Sequence, residues 1–330
     1  MAKEPRIRAR GLARRVARRV ARRVVRVPNH VLSGLAELLP ARRRSGPLVS
    51  VIIATYNRPK NLRIAIRSAL EQTYRDLEVL VVGDGCTDDT EQVVRSIADE
   101  RVRWLELETN SGSQSLPNNV GLAAARGTYV AYLGHDDVWL PGHVAALVGA
   151  MERDSLDAAT TRSFWIGPPG SDALTVSGAG LFSNRSVAGP PSALCHRLDI
   201  VERTGGWIDY RELPADRAPD DEFIARVNAA SAGRRALRRV GVIKLPAAWR
   251  RDFYRSDEAS EQAEWFRRSR APRRLVVGLL MGAITTDLRG RRITLPTDDL
   301  EPRPGEHVVD AWRRLKGLPE RGGAPPTPSS

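Results

Sequence analysis

Between residues 48 and 133, apolar runs alternate with mixed segments in a regular order. Leu48–Thr55 (LVSVIIAT) and Leu77–Val82 (LEVLVV) are near-continuous and rich in β-branched residues, which predicts strands buried on both faces of a parallel sheet. Arg101–Leu107 and Thr128–Leu133 predict two more strands. Between the strands, Asn61–Gln72 sets Leu62, Ile66, Ala69 and Leu70 on one side of a helix. Asp88–Ala98 predicts a second helix, whose acidic opening suits the positive end of its dipole, and Asn118–Ala125 a third. This alternation predicts an α/β fold, a doubly wound and mostly parallel sheet with helices on both faces. Beyond Met151 the pattern loosens. Ala158–Ile166 reads as a fifth strand, and Gly167–Ser192 as a Gly/Pro/Ser-rich loop long enough to suggest function. Arg197–Thr204 and Asp220–Ala230 read as helices and Arg239–Leu245 as a strand. Little can be placed after Trp249, and Gly322–Ser330 (GGAPPTPSS) reads as a disordered tail.

A different period precedes these elements. From Gly11 to Val27 a repeated Ala-Arg-Arg-Val places Leu12, Val16, Val20 and Val24 four residues apart, which predicts a basic helix with one apolar stripe. Charge sharpens that division. Of the net +13, residues 1–46 carry +12, fourteen Lys and Arg facing only Glu4 and Glu37, so the rest of the chain is close to neutral. A near-neutral body excludes a broad phosphate-tracking surface, and no nucleic-acid partner is expected. The basic segment itself has three readings: a solvated tail, a helix on anionic lipid, or a nucleic-acid arm. Pro40 and Arg42–Pro47 read as a linker. With only Cys86 and Cys195, neither a disulfide framework nor a zinc site is indicated. The longest apolar run, Leu275–Ile284, falls well short of the roughly 20 residues that span a bilayer. The arginine-filled start has no secretory h-region. The expected location is cytoplasmic, with peripheral contact at the inner face of an anionic membrane through residues 6–27.

In a doubly wound sheet, ligands bind beyond the carboxyl ends of the strands. Three predicted strands end in polar clusters: Thr55-Tyr56-Asn57-Arg58, Gly83-Asp84-Gly85-Cys86-Thr87-Asp88-Asp89 and Gly134-His135-Asp136-Asp137, with Asp220-Asp221-Glu222 farther on. Gly83-Asp84-Gly85 is not a dinucleotide fingerprint, because Asp88 stands where the third glycine belongs and the motif follows the second strand. No Walker A lysine motif is present. A carboxylate pair at a strand terminus is what a hard divalent cation takes, with phosphate oxygens and water completing its shell. Asp136 and Asp137 form such a pair, which predicts Mg²⁺ or Mn²⁺ beside a diphosphate.

The segments PLVSVIIATYNRPKNL, SALEQTYRDLEVLVVGDGCTDDT and ARGTYVAYLGHDDVWLP closely resemble the N-terminal half of family 2 glycosyltransferases of the GT-A fold. Their usual forms there are "SVIIPTYNR", "VVDDGSTDDT" and "FLDSDDxWxP". The likeness holds its order and spacing over residues 47–142 and continues more weakly through Pro191-Ser192-Ala193 and Thr204-Gly205-Gly206-Trp207 to Asp220 and Arg226. Beyond the basic helix and linker read over 1–46, it implies a GT-A domain over 47–250, with the nucleotide-sugar half at 47–142 and the acceptor half at 143–250. A C-terminal extension follows over 251–330. It further implies that Ala54, Thr55, Tyr56 and Arg58 line the donor site and that Asp84 holds a uracil-type base. Asn118 would lie near the diphosphate or sugar, Asp137 would be the main metal ligand, and Asp136 would orient the donor sugar or a metal-bound water. Counting back from Arg226 places the catalytic base at Asp220, with Asp221 as runner-up. The implied reaction is an inverting transfer from a UDP- or dTDP-type nucleotide-diphospho-sugar to a hydroxyl acceptor, lipid-linked or glycan, in cell-surface polysaccharide or glycolipid synthesis.

Four positions depart from the family's pattern: Gly83 and Gly134 each replace an aspartate, and Cys86 and His135 each replace a serine. These departures motivate a second reading, a non-catalytic module that binds a nucleotide sugar or a partner. Cys86 reads as a small buried residue, Trp207 and Trp249 as core or acceptor-lining side chains, and Arg250 and Arg251 as solvated.

Overall fold

The computed structural model describes residues 45–169, 174–176, 189–250, 253–255, 258–279 and 302–318. The basic repeat and the Gly322–Ser330 tail lie outside the described residues, as does most of the loop expected over 167–192. Strands are β1 Val49–Thr55, β2 Leu77–Asp84, β3 Val102–Leu107, β4 Tyr129–Tyr132, β5 Val138–Trp139, β6 Ala158–Ile166, β7 Leu174–Val176, β8 Leu194–Arg197 and β9 Arg234–Lys244. Helices are α1 Pro59–Leu70, α2 Thr90–Arg95, α3 Ser115–Ala124, α4 His143–Asp154, α5 Ile200–Thr204, α6 Pro219–Ala230, α7 Ser260–Ser269, α8 over 272–279 and α9 Val308–Leu315.

The sheet runs β3-β2-β1-β4-β8-β6-β9-β5, with β7 beside β6. The first four strands are parallel, in a register that sets Val51 opposite Val79 and Ala131. Because β1 is covered on both sides, its alternate residues serve two cores. Val49, Val51 and Ile53 pack with Leu62, Ile66 and Ala69 of α1 and Leu147 of α4, whereas Ile52 joins Leu80, Leu122 of α3 and Phe223 of α6. The result is the doubly wound, two-faced sheet that the apolar runs predict.

The second half differs from its sequence reading in detail. Residues 194–197 form β8, antiparallel between β4 and β6, so the helix expected from Arg197 begins only at Ile200. Leu194, Cys195 and His196 are buried, and this four-residue strand is too short to show a period. β5 has two residues, set by antiparallel pairing with β9 at Val138–Ile243 and Trp139–Val242. β9 begins at Arg234, earlier than expected, because its first half is a partly exposed extension paired with β6.

Candidate active site

The turn after β4 brings Asp136 and Asp137 against the end of β9. Asp137 is fully buried; its Oδ2 accepts from Ser192 Oγ at 2.5 Å and Lys244 Nζ at 3.0 Å, and its Oδ1 from the Leu245 amide at 3.2 Å. Asp136 Oδ2 accepts from the Ala247 amide at 3.2 Å, while its Oδ1 lies 3.6 Å from Lys244 Nζ. Burial works against charge at Lys244, and the two carboxylates outweigh it, holding the ammonium charged above its ordinary range. At Asp136 burial raises the carboxyl, and Lys244, His135 and Lys316 together outweigh it, leaving it below its usual range. Burial pushes Asp137 up, to about 6, with Lys244 opposing. Gly134 permits this packing, since a Cβ there would stand 2.8 Å from both Asp136 Oδ1 and Asp137 Oδ2. The turn is also held from α7: buried Gln262 donates through Nε2 to the His135 and Asp137 carbonyls, each at 3.0 Å, and accepts from Asn61 Nδ2 at 2.7 Å.

The ends of β1 and β2 are laced together. Asn57, at φ 46° in the left-handed region, accepts from the Thr87 amide and donates to Thr87 Oγ1. Thr55 Oγ1, at the strand end, is buried with no hydrogen-bond partner among the described residues. Asp84 accepts from the Ser111 amide at 2.8 Å and Asn110 Nδ2 at 3.0 Å, and burial raises its carboxyl despite those bonds. Where the family pattern has another aspartate, a Cβ on Gly83 would stand 2.5 Å from the Trp104 ring, so that indole fills the space. Cys86 is pushed up to about 11 by burial, which leaves a neutral thiol and no nucleophile. Arg58 is buried beneath Phe253, 3.9 Å from its ring centroid, and donates to the Phe253 carbonyl and Asn61 Oδ1. The Tyr56 ring lies 6.3 Å from that of Tyr254, and Arg313 of α9 exerts its charge on Tyr56, Asp84 and Tyr254.

The third component is the start of α6. Asp220 is partly buried and Asp221 exposed. Burial, then the Asp221 charge, raises Asp220, while Lys244 draws it down. Lys316, just past α9, senses Asp136, Lys244 and Asp220 together. The Gly205-Gly206-Trp207 turn fixes α6: Asn119 clamps Trp207 by accepting from its amide at 2.7 Å and donating to its carbonyl at 2.8 Å. Trp207 stacks on Phe223 with ring centroids 4.4 Å apart. Arg226 pairs with Glu222 and donates to the Gly206 carbonyl at 2.9 Å, a structural role. Asn118 is buried on α3 next to this clamp. Arg250, read as solvated, instead pairs with Glu261 and holds the Ile166 and Gly167 carbonyls.

The structure thus sets Asp136 and Asp137 on Lys244, with Asp220 within reach of its charge and Thr55, Tyr56 and Asp84 at the ends of β1 and β2. Arg58 is turned under the 253–255 segment. Lys244, Gln262, Tyr254, Arg313 and Lys316 escaped sequence reasoning, because nothing in their local pattern distinguishes them from ordinary surface or helix residues. The donor set does not fit the divalent cation that the Asp136-Asp137 pair predicts: both Asp137 oxygens are taken by protein donors, and an ammonium already faces the free side of Asp136. Among the described residues no group of three or more His, Cys, Asp or Glu is placed to hold a metal ion.

Comparison with known proteins adds to this geometry. Residues 50–179 match the family described as glycosyl transferase family 2. The chain is 37% identical over 107 residues to the glycosyltransferase RP339 of Rickettsia prowazekii (strain Madrid E), covering 32% of this chain and 33% of that one. It is 33% identical over 109 residues to the UDP-Glc:alpha-D-GlcNAc-diphosphoundecaprenol beta-1,3-glucosyltransferase WfaP of Escherichia coli, covering 33% and 43% respectively. The matched segment therefore spans less than half the length of either relative. Among solved structures, S. aureus TarS 1-349 in complex with UDP-GlcNAc superposes with a TM-score of 0.50 at 21% identity, over 60% of this chain and 58% of that one, a likeness of fold.

Proposed function

Because residues 50–179 match glycosyl transferase family 2 and the fold resembles that of TarS, we propose that the chain moves a sugar from a nucleotide-diphospho-sugar to an acceptor hydroxyl, with inversion at the anomeric carbon. The observation that carries this reading is the cluster of Asp136, Asp137 and Lys244 at the strand ends, with the partly buried Asp220 at the start of α6 near enough for its charge to act on Lys244 and Lys316. Asp220 takes the proton of the acceptor hydroxyl as its oxygen attacks the anomeric carbon. The bond from that carbon to the diphosphate breaks on the opposite face. Thr55, Tyr56 and Asp84 receive the nucleotide. WfaP is named for a UDP-Glc donor and the TarS structure holds UDP-GlcNAc, which favours a UDP- or dTDP-type donor here. The diphosphoundecaprenol acceptor in WfaP's name supports a lipid-linked or glycan acceptor and a role in cell-surface polysaccharide or glycolipid synthesis. The Mg²⁺ or Mn²⁺ expected from the sequence has no part in these steps.

A panel of nucleoside diphosphates tests the donor site, because a ligand that binds only the folded state raises its melting temperature. We expect UDP or dTDP to raise it and Asp84→Ala to abolish the shift. No shift with any nucleotide would sink the reading in favour of a non-catalytic module.

The basic segment over 6–27 supports peripheral contact with anionic lipid, which would bring the site to a membrane-borne acceptor. No helix among the described residues is long and apolar enough to cross a membrane. Sedimentation with phosphatidylserine-containing vesicles should retain the full chain far better than a version starting at Pro47; equal retention would refute the contact.

A further inference from the structure

We propose that Lys244 takes the place of the divalent cation in the donor site, so that the nucleotide diphosphate is bound by a fixed ammonium and without metal. This rests on the glycosyltransferase reading above and concerns the chemistry of that same site. Three observations at separate positions agree. Lys244 Nζ stands 3.0 Å from Asp137 Oδ2 and 3.6 Å from Asp136 Oδ1, between the two carboxylates that a cation would share. The remaining oxygens are already satisfied, Asp137 Oδ1 by the Leu245 amide and Asp136 Oδ2 by the Ala247 amide, both from the segment that follows Lys244. At Gly134, where the resemblance has an aspartate, a Cβ would lie 2.8 Å from each of the oxygens that face the ammonium. A carboxylate at position 134 would thus crowd the same two oxygens that hold the Lys244 ammonium.

A hard dication binds carboxylate oxygens at about 2.0–2.6 Å. Bound to either oxygen that faces Lys244, it would sit within a few ångströms of a positive charge and would have to displace it. The ammonium supplies one positive charge where the cation would supply two. Lys316 and Arg313, brought by α9 to the same edge, make up the difference toward an incoming diphosphate. The Lys244 side chain is 18% exposed and its ammonium is held by the two carboxylates.

The test is UDP binding by titration calorimetry to the full chain, in excess EDTA and again with Mn²⁺. The wild type is expected to bind UDP equally, within about twofold, under both conditions. Lys244→Ala is expected to lose at least tenfold in EDTA and to recover part of that loss with Mn²⁺, because vacating the ammonium frees two carboxylates for a cation. A purely structural lysine would give no such metal rescue. Lys244→Arg, which keeps the charge, should bind without metal, and it guards against misfolding of the alanine variant. Wild-type binding that vanishes in EDTA and returns with Mn²⁺ would overturn this proposal while leaving the glycosyltransferase reading intact. Failure of UDP, dTDP and GDP to bind under either condition would overturn that reading and this proposal with it.

Discussion

Asp220 and Asp221 are neighbours in the chain with different surroundings. Asp220 is partly buried and electrostatically tied to Lys244 and Lys316, whereas Asp221 is exposed. Removing a positioned general base costs on the order of 10²–10⁴ in rate. Asp220→Asn should therefore lower kcat by that order with UDP binding retained, and Asp221→Asn should cost far less; the reverse ranking would reassign the base. The pH profile separates them further. A base works only when deprotonated, so the acid limb of kcat/KM should lie above the usual carboxylate range, because burial and Asp221 both raise Asp220. Removing the Asp221 charge lowers the Asp220 pKa, and Asp221→Asn should move that limb to lower pH. An unmoved limb would mean that another group carries the titration.

Helices far along the chain govern the site at the scale of elements. α7 contributes no group to the proposed chemistry, yet Gln262 holds both the His135 and Asp137 carbonyls and caps Asn61 of α1. A buried polar group stripped of its partner costs about 1–3 kcal/mol. Gln262→Leu leaves three such groups, so a loss of about 3 kcal/mol or more in urea-unfolding stability is expected, with catalysis weakened as the 134–137 turn loosens. Stability within experimental error of wild type would show that water replaces the amide. α9 acts in a similar way. Tyr210 donates to Asp310 at 2.9 Å, the Val308 amide to the Ala215 carbonyl at 2.8 Å and the Tyr254 amide to the Lys316 carbonyl at 2.9 Å. These contacts deliver Arg313 and Lys316 to the strand ends.

At the scale of the whole molecule, the buried histidines set an acid limit. His196 donates from Nδ1 to the Arg197 carbonyl and accepts from Tyr132, so it is satisfied as a neutral ring, while His143 packs on Trp139 and accepts from Thr161 at Nδ1, its buried Nε2 finding no partner among the described residues. Burial depresses His143 from 6.5 to about 3 and His196 from 6.5 to about 4. The folded pKa lies below the unfolded one, so their contribution is intact above pH 6.5 and is lost as pH falls, because the unfolded chain gains protons first. Each adds a slope of about 1.4 kcal/mol per pH unit between 6.5 and its folded pKa. Urea midpoints at pH 7 and pH 5 should differ accordingly, and His196→Gln should remove its share of the slope. A slope unchanged in that variant would show that the ring is protonated in the folded protein.

Burial on a sheet face imposes a local period, and for this reason the first four strands, their helices and the polar clusters at three strand ends are legible from residues 48–137 alone. Asp84, Asp136, Asp137 and Asp220 were visible for the same reason, since each follows a strand or opens a helix. What the local pattern cannot carry is pairing at a distance. β5 and β8 are too short for any period and exist because β9, β4 and β6 offer them edges. Lys244 lies 107 residues from Asp137 and Gln262 lies 125 from it. Whether Asp136 and Asp137 face a metal ion or a lysine is decided by the order of strands in the sheet, which sets the end of β9 against the turn after β4. A carboxylate pair has the same sequence in either case. Only tertiary structure supplies its counter-charge, because electrostatic partnership depends on distance in space, and the chain pattern records only distance along itself.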